Sequence, residues 1–129
     1  MKKTKKFITI CFTFGLLISA GTNVYASSQS VDLTSNETSK NSSNINATSV
    51  RMSAENSSGS AGRLSARVQY RTGSIISSWH NDVSRTVAIG NSISNVNSNR
   101  FLDSYPWRLQ LARESNNLRV TASGRINAR

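Results

Sequence analysis

The 129-residue chain is poor in the residues that usually staple a fold or run chemistry: one cysteine, one proline, one histidine and six acids. The cysteine, Cys11, lies in an apolar run near the N-terminus, so a chain cleaved after that run keeps no thiol. Disulfides and thiol catalysis are then excluded from the mature part. A lone histidine, His80, excludes the His clusters of zinc and haem sites, and the expectation is a protein without metal or cofactor. Serine is so abundant that pairing His80 with Asp82 or Asp103 into a Ser-His-Asp arrangement carries no weight, and no Gly-x-Ser-x-Gly elbow occurs. Nothing around Asp82 and Asp103 marks an acid/base pair, and no glycine loop cradles phosphate. The chain therefore reads as a non-enzyme, and His80, between Trp79 and Asn81-Asp82, as a turn residue.

Positive charge is what the chain has in excess: 16 Lys and Arg against six acids, a net of +10. Lys2, Lys3, Lys5 and Lys6 precede an apolar run from Phe7 to Ala20, and Val24-Tyr25-Ala26 fits a small-x-small cleavage site. Residues 1–26 thus read as a secretory signal, with an apolar run short for a bilayer span of about 20 residues. Without them Lys40 and eleven arginines face the six acids, 12 − 6 = +6.

Residues 27–61 contain 20 Ser, Asn or Thr among 35. On composition this segment cannot bury enough apolar surface to offset chain entropy and is expected to be a disordered spacer or propeptide. Its Asn36, Asn41, Asn46 and Asn56 head Asn-x-Ser/Thr triplets, which matter only in a glycosylating host.

From residue 62 the pattern changes. Arg63 to Arg71 alternates Leu64, Ala66, Val68 and Tyr70 with Arg63, Ser65, Arg67, Gln69 and Arg71, a strand covered on one side. Further strands are expected over Ser74–Trp79 and Arg85–Gly90, with His80-Asn81-Asp82 breaking between them. Asn91–Arg100 reads as loop, with Ile93 and Val96 able to lie on a short strand or helical turn, and Pro106 admits only a strand's start or edge. Trp107 to Ile126 reads as a hairpin turning at Glu114–Asn117, which pairs residue 111 with 120, 109 with 122 and 107 with 124. The fold class is all-β: a small antiparallel β-sandwich, meander or open barrel over 62–129. A core of that size supplies only about 3–5 kcal/mol without staples, which points to marginal stability or self-association.

Residues 62–129 hold ten arginines and no lysine against Asp82, Asp103 and Glu114, 10 − 3 = +7. Arginine offers a planar fork to phosphate or carboxylate. The candidate anion-binding residues are Arg63, Arg67, Arg71, Arg108, Arg119 and Arg125, with Trp79 and His80 as target contacts. The same charges could serve only to discourage sheet-to-sheet aggregation. The arginines form one stripe if they share a single sheet, and two surfaces if two sheets pack.

Ile76-Ser77-Ser78-Trp79-His80-Asn81, then Arg85-Thr86-Val87-Ala88-Ile89-Gly90-Asn91, resembles the lactococcin 972 family of bacteriocins. There a Ser-rich aromatic segment with Asn and His precedes a basic Thr/Ser-Val strand, and a polar loop leads to a tryptophan strand, the place taken here by Tyr105-Pro106-Trp107 to Ala112. The resemblance covers roughly residues 73–113. It departs at Gly124-Arg125-Ile126-Asn127-Ala128-Arg129, where the family ends in an aromatic strand, and in the long Ser/Asn segment. It implies a small β-sandwich that inhibits related bacteria by acting on cell-wall synthesis. The expected partner is an anionic envelope component such as a wall precursor, with the membrane surface and self-association as further contacts and no role for nucleic acid. The alternative is a secreted wall-associated structural or adhesion module, held at the wall by charge.

Overall fold

A computed structural model of the chain describes residues 28–72, 78–101 and 105–129. The signal segment, residues 74–77 of the expected second strand, and Asp103 lie outside them. Every regular element described is a strand: β1 (Ser28–Leu33), β2 (Ser39–Asn41), β3 (Ile45–Ala47), β4 (Val50–Asn56), β5 (Leu64–Tyr70), β6 (His80–Val87), β7 (Ser92–Asn97), β8 (Tyr105–Arg113) and β9 (Ala122–Ala128). They form two antiparallel sheets, sheet 1 in the order β1-β9-β4-β7 and sheet 2 in the order β2-β8-β5-β6, with β3 also on β8. The all-β expectation holds, and of its variants the structure is the sandwich. A meander would pair successive strands, whereas among the described residues only β5 and β6 are both consecutive and paired.

Two expectations fail, for different reasons. Most of segment 27–61 is ordered and supplies β1 to β4. Within its strands the apolar residues are placed with period two, so nearly all reach the core: Val31 and Leu33 from β1, Ile45 from β3, and Val50, Met52 and Ala54 from β4 are buried. On β1 and β4 the serines Ser30 and Ser53 take the outward positions, where polarity costs little. Composition reports an average and is blind to this placement.

The C-terminal hairpin also fails. β8 pairs with β5, β2 and β3, whereas β9 pairs with β1 and β4 in the other sheet. The alternation was correct about faces, since Trp107, Leu109, Leu111, Val120, Ala122 and Ile126 are all buried. It could not name partners. The backbone groups a hairpin would have used near its turn are taken by the 57–61 turn: Ser57 N donates to Thr121 O at 2.9 Å and Ala61 N to Arg119 O at 2.8 Å. The Ser60 hydroxyl bridges Thr121 N and O. Leu118 consequently stays 43% exposed. Gly124 opposes leucines rather than Trp107: a Cβ there would come within 2.8 Å of Leu109 Cδ2 from the facing sheet.

His80-Asn81-Asp82 does not break a strand but begins β6. The register steps from Val68↔Val83 to Gln69↔Asn81, so Asp82 is an extra residue absorbed by a bulge. Its carboxylate accepts from Asn99 N at 2.6 Å and lies 3.8 Å from Arg100 Nε. Ile93 and Val96 lie on a strand, β7, and Pro106 is the second residue of β8.

Asn56 ties the layers together. It is buried at an inward position of β4, and its Nδ2 donates to Gly62 O and Val87 O, both at 3.0 Å. Burial of this amide also removes the Asn56 triplet from any glycosylating enzyme in the folded state. Asn56→Ala strips two buried carbonyls of their donor, and urea denaturation is expected to show a loss of about 2 kcal/mol. An unchanged midpoint would mean that water replaces the amide.

Candidate functional site

The outer face of sheet 2 is where the cationic residues gather. On β5 the inward residues are Leu64, Ala66 and Val68, so Arg67 and Gln69 point outward, flanked in sequence by Arg63 and Arg71. β8 runs beside β5 with Arg67↔Gln110 and Gln69↔Arg108 in register, which brings Arg108 into the row. β6 lies on the other side with Arg67↔Ser84 and Gln69↔Asn81.

Gln69 is the hub of this face. Its Oε1 accepts from Arg108 Nε at 2.7 Å, and its Nε2 donates to Asn81 Oδ1 at 2.9 Å. Both ends of the amide are engaged and the side chain is nearly buried, so Arg108 is held in one orientation. Its guanidinium carbon sits 4.2 Å from the centre of the Trp79 ring, and that of Arg71 sits 4.8 Å from the same ring. Two guanidiniums on one indole constitute a pair of cation–π contacts. Burial, and then the nearby charge of Arg71, lower the proton affinity of Arg108 below that of an ordinary guanidinium. Arg108 has no ion-pair partner among the described residues, whereas Asp82 of β6 is occupied by Asn99 and Arg100.

Of the six candidate arginines, Arg63, Arg67, Arg71 and Arg108 belong to this face or its edge. Arg63 is at a corner, 3.9 Å from Glu114. Arg125 does not join them: it lies on β9 in sheet 1, where its Nη2 donates to Ser28 Oγ at 3.3 Å. Arg119 precedes β9 in the segment crossing between sheets and is exposed. A single six-arginine stripe is therefore replaced by a four-arginine face, because two packed sheets turn their outer surfaces apart.

Trp79 is half-buried on this face, directly before β6. His80, its neighbour, stacks toward the other side of the strand: its ring centre is 5.4 Å from that of Tyr70, which in turn is 5.6 Å from buried Trp107. The two proposed contact residues thus part company. Gln69 and Asn81 were not singled out in the sequence, since neither type is distinctive; the alternation of β5 does place Gln69 between Arg67 and Arg71.

No family model matches the chain, and no curated protein matches it by sequence. Among solved structures it is similar to one described as the crystal structure of PirA, with a TM-score of 0.55 and 12% identity. The match covers 87% of this chain and 99% of that one. Identity that low makes the similarity one of fold.

Proposed function

We propose that the protein is a secreted cationic antibacterial protein, bacteriocin-like in the manner of the lactococcin 972 resemblance, and that it binds an anionic cell-envelope component through the outer face of sheet 2. The observation that carries this reading is the gathering of Arg71 and Arg108 on the Trp79 ring, with Arg108 oriented by Gln69. Such a cluster is pre-organised for an oxyanion: guanidinium edges supply donors and the indole supplies a flat apolar wall. The signal-like leader and the family-like segment around Trp79 support the same reading. A wall precursor bearing pyrophosphate fits the charge.

Residues 27–129, purified, are expected to inhibit some Gram-positive strains at micromolar concentration, with relief by added wall precursor. Arg71→Gln combined with Arg108→Gln should weaken both inhibition and precursor binding about 10-fold or more, as expected for charge-assisted hydrogen bonds. Stability should fall by about 1 kcal/mol, mostly through Arg108, whose loss leaves Gln69 Oε1 without its donor. Binding is readable by fluorescence, since of the two tryptophans Trp107 is buried and Trp79 reports the surface. An inactive parent across a broad panel rules out the antibacterial activity. Wall association without inhibition, released by high salt, would favour the structural or adhesion module instead.

A further inference from the structure

At the other end of the same sheet, a second group of arginines surrounds a cup of about 310 Å³ between β5, β6 and the end of β8. Arg67, Arg85 and Arg113 line it, with the hydroxyl residues Ser65, Ser84 and Thr86. The pairing explains the assembly, since Ser65↔Thr86 and Arg67↔Ser84 are directly opposed. Glu114 is the one acid in the lining, and it is shared with Arg63 at 3.9 Å.

The polar groups here are overwhelmingly donors. Arg67 donates one nitrogen to Gln110 Oε1 at 3.1 Å and Arg85 one to Ser84 O at 2.9 Å, contacts that fix each side chain and leave further N–H groups. None of the three arginines has an ion-pair partner among the described residues. Arg113 spends its two Nη groups on the carbonyls of Asn116 at 3.0 Å and Ser35 at 2.8 Å, and its Nε is buried, so it adds positive charge at the wall rather than free donors. The hydroxyls of Ser65, Ser84 and Thr86 make no hydrogen bond among the described residues, so they too can donate. A small recess with free donors from Arg67 and Arg85, three hydroxyls and the added charge of Arg113 suits a ligand that is doubly charged, compact and acceptor-only in several directions.

We propose that this cup binds a phosphoryl group. The inference deepens the anionic-target reading by naming phosphate, but it uses none of the residues of the Trp79 cluster. Arg67 is four residues from Arg71, about 13 Å along the strand. At ionic strength near about 0.15 M the Debye length is about 8 Å, so the two sites are electrostatically separable.

The test is calorimetric titration of residues 27–129 with tripolyphosphate in about 0.15 M salt. Arg85→Gln is expected to weaken binding at least 10-fold, because Arg85 is exposed on an edge strand and its loss leaves the core intact. Glu114→Gln should strengthen binding several-fold by removing the competing carboxylate, an effect of opposite sign that no structural role produces. Arg51→Gln, on sheet 1, and the Arg71→Gln, Arg108→Gln pair should each change binding less than twofold. No binding by the parent, or equal losses from Arg85→Gln and Arg51→Gln, overturns the proposal. Displacement of tripolyphosphate by poly(glycerol phosphate) identifies a wall polymer as the source of the phosphoryl group. Displacement by anionic phospholipid vesicles identifies a headgroup, and displacement by neither overturns the proposal. If the cup fails while Arg71→Gln, Arg108→Gln still abolishes inhibition, the reading built on Trp79 stands without it.

Discussion

Residues 62–129 alone are expected to be unfolded, with a collapsed amide spectrum and no cooperative transition, whereas residues 27–129 fold. Removing β1 to β4 takes both neighbours from β9 and the sheet-1 partner from β7. Leu33, Ile45, Val50 and Met52, all essentially inaccessible to solvent, leave with those strands. Each such side chain contributes about 1.5–3 kcal/mol on burial. Four together are comparable with the whole stability of a small domain, about 5–15 kcal/mol. Ile126 and Ala122 would in addition be left facing water. A cooperative melt from the shorter chain would show that sheet 2 stands alone and would return residues 27–61 to the role of a spacer. Any antibacterial assay on residues 62–129 would test an unfolded polycation.

Trp107→Ala is expected to be the most damaging single change, at about 3–5 kcal/mol in chemical denaturation. The indole is fully buried, stacks near Tyr70, and donates its Nε1–H to Ala47 O at 2.8 Å. That bond fastens β3, which has only three residues and pairs with β8 through Ile45↔Trp107, Asn46↔Pro106 and Ala47↔Tyr105. Trp107→Phe keeps most of the packing but orphans the Ala47 carbonyl, and should cost about 1–2 kcal/mol more than a volume-matched change. Trp79→Ala should be nearly silent on stability, within about 0.5 kcal/mol, yet should remove the fluorescence response to ligand. Equal destabilisation at both tryptophans would refute this division between core and surface indole.

The part of this structure legible in the sequence was local. Arg63 to Arg71 displays a strand and its outward arginines, and the apolar faces of Trp107–Leu111 and Ala122–Ile126 are written in their alternation. Val50-Arg51-Met52-Ser53-Ala54-Glu55-Asn56 alternates just as cleanly and forms β4. Its signal was outweighed by the Ser/Asn content around it. What period two cannot supply is the partner, because inward residues of either sheet look alike. Assigning β9 to β8 placed Arg119 and Arg125 beside Arg108, and the pairing of β9 with β1 and β4 removes them. The Trp79 cluster depends on two non-local facts, the β5–β8 register and the bulge at Asp82, and neither has a local signature. Arg85 and Arg113 were overlooked because strand parity assigns them to the core side, opposite Ala66 and Leu64. Arg85 lies on the edge strand β6, where a long side chain can escape the parity rule, and Arg113 lies at the last residue of β8, where its guanidinium reaches Asn116 O and Ser35 O.

The position of β9 between β1 and β4 has a consequence for how the molecule is made. Ser28 pairs with Asn127, 127 − 28 = 99 residues later, so sheet 1 cannot close until the ribosome has passed Asn127. At about 5–20 residues per second the first strand waits about 5–20 s for its neighbour. During that time β1 and β4 are separated by the gap that β9 will fill, and the nascent polypeptide has no closed sandwich to adopt. A non-local strand pairing of this kind also folds slowly once complete. The topology thus leaves the arginine-bearing sheet without the layer that backs it until the last strand has been made.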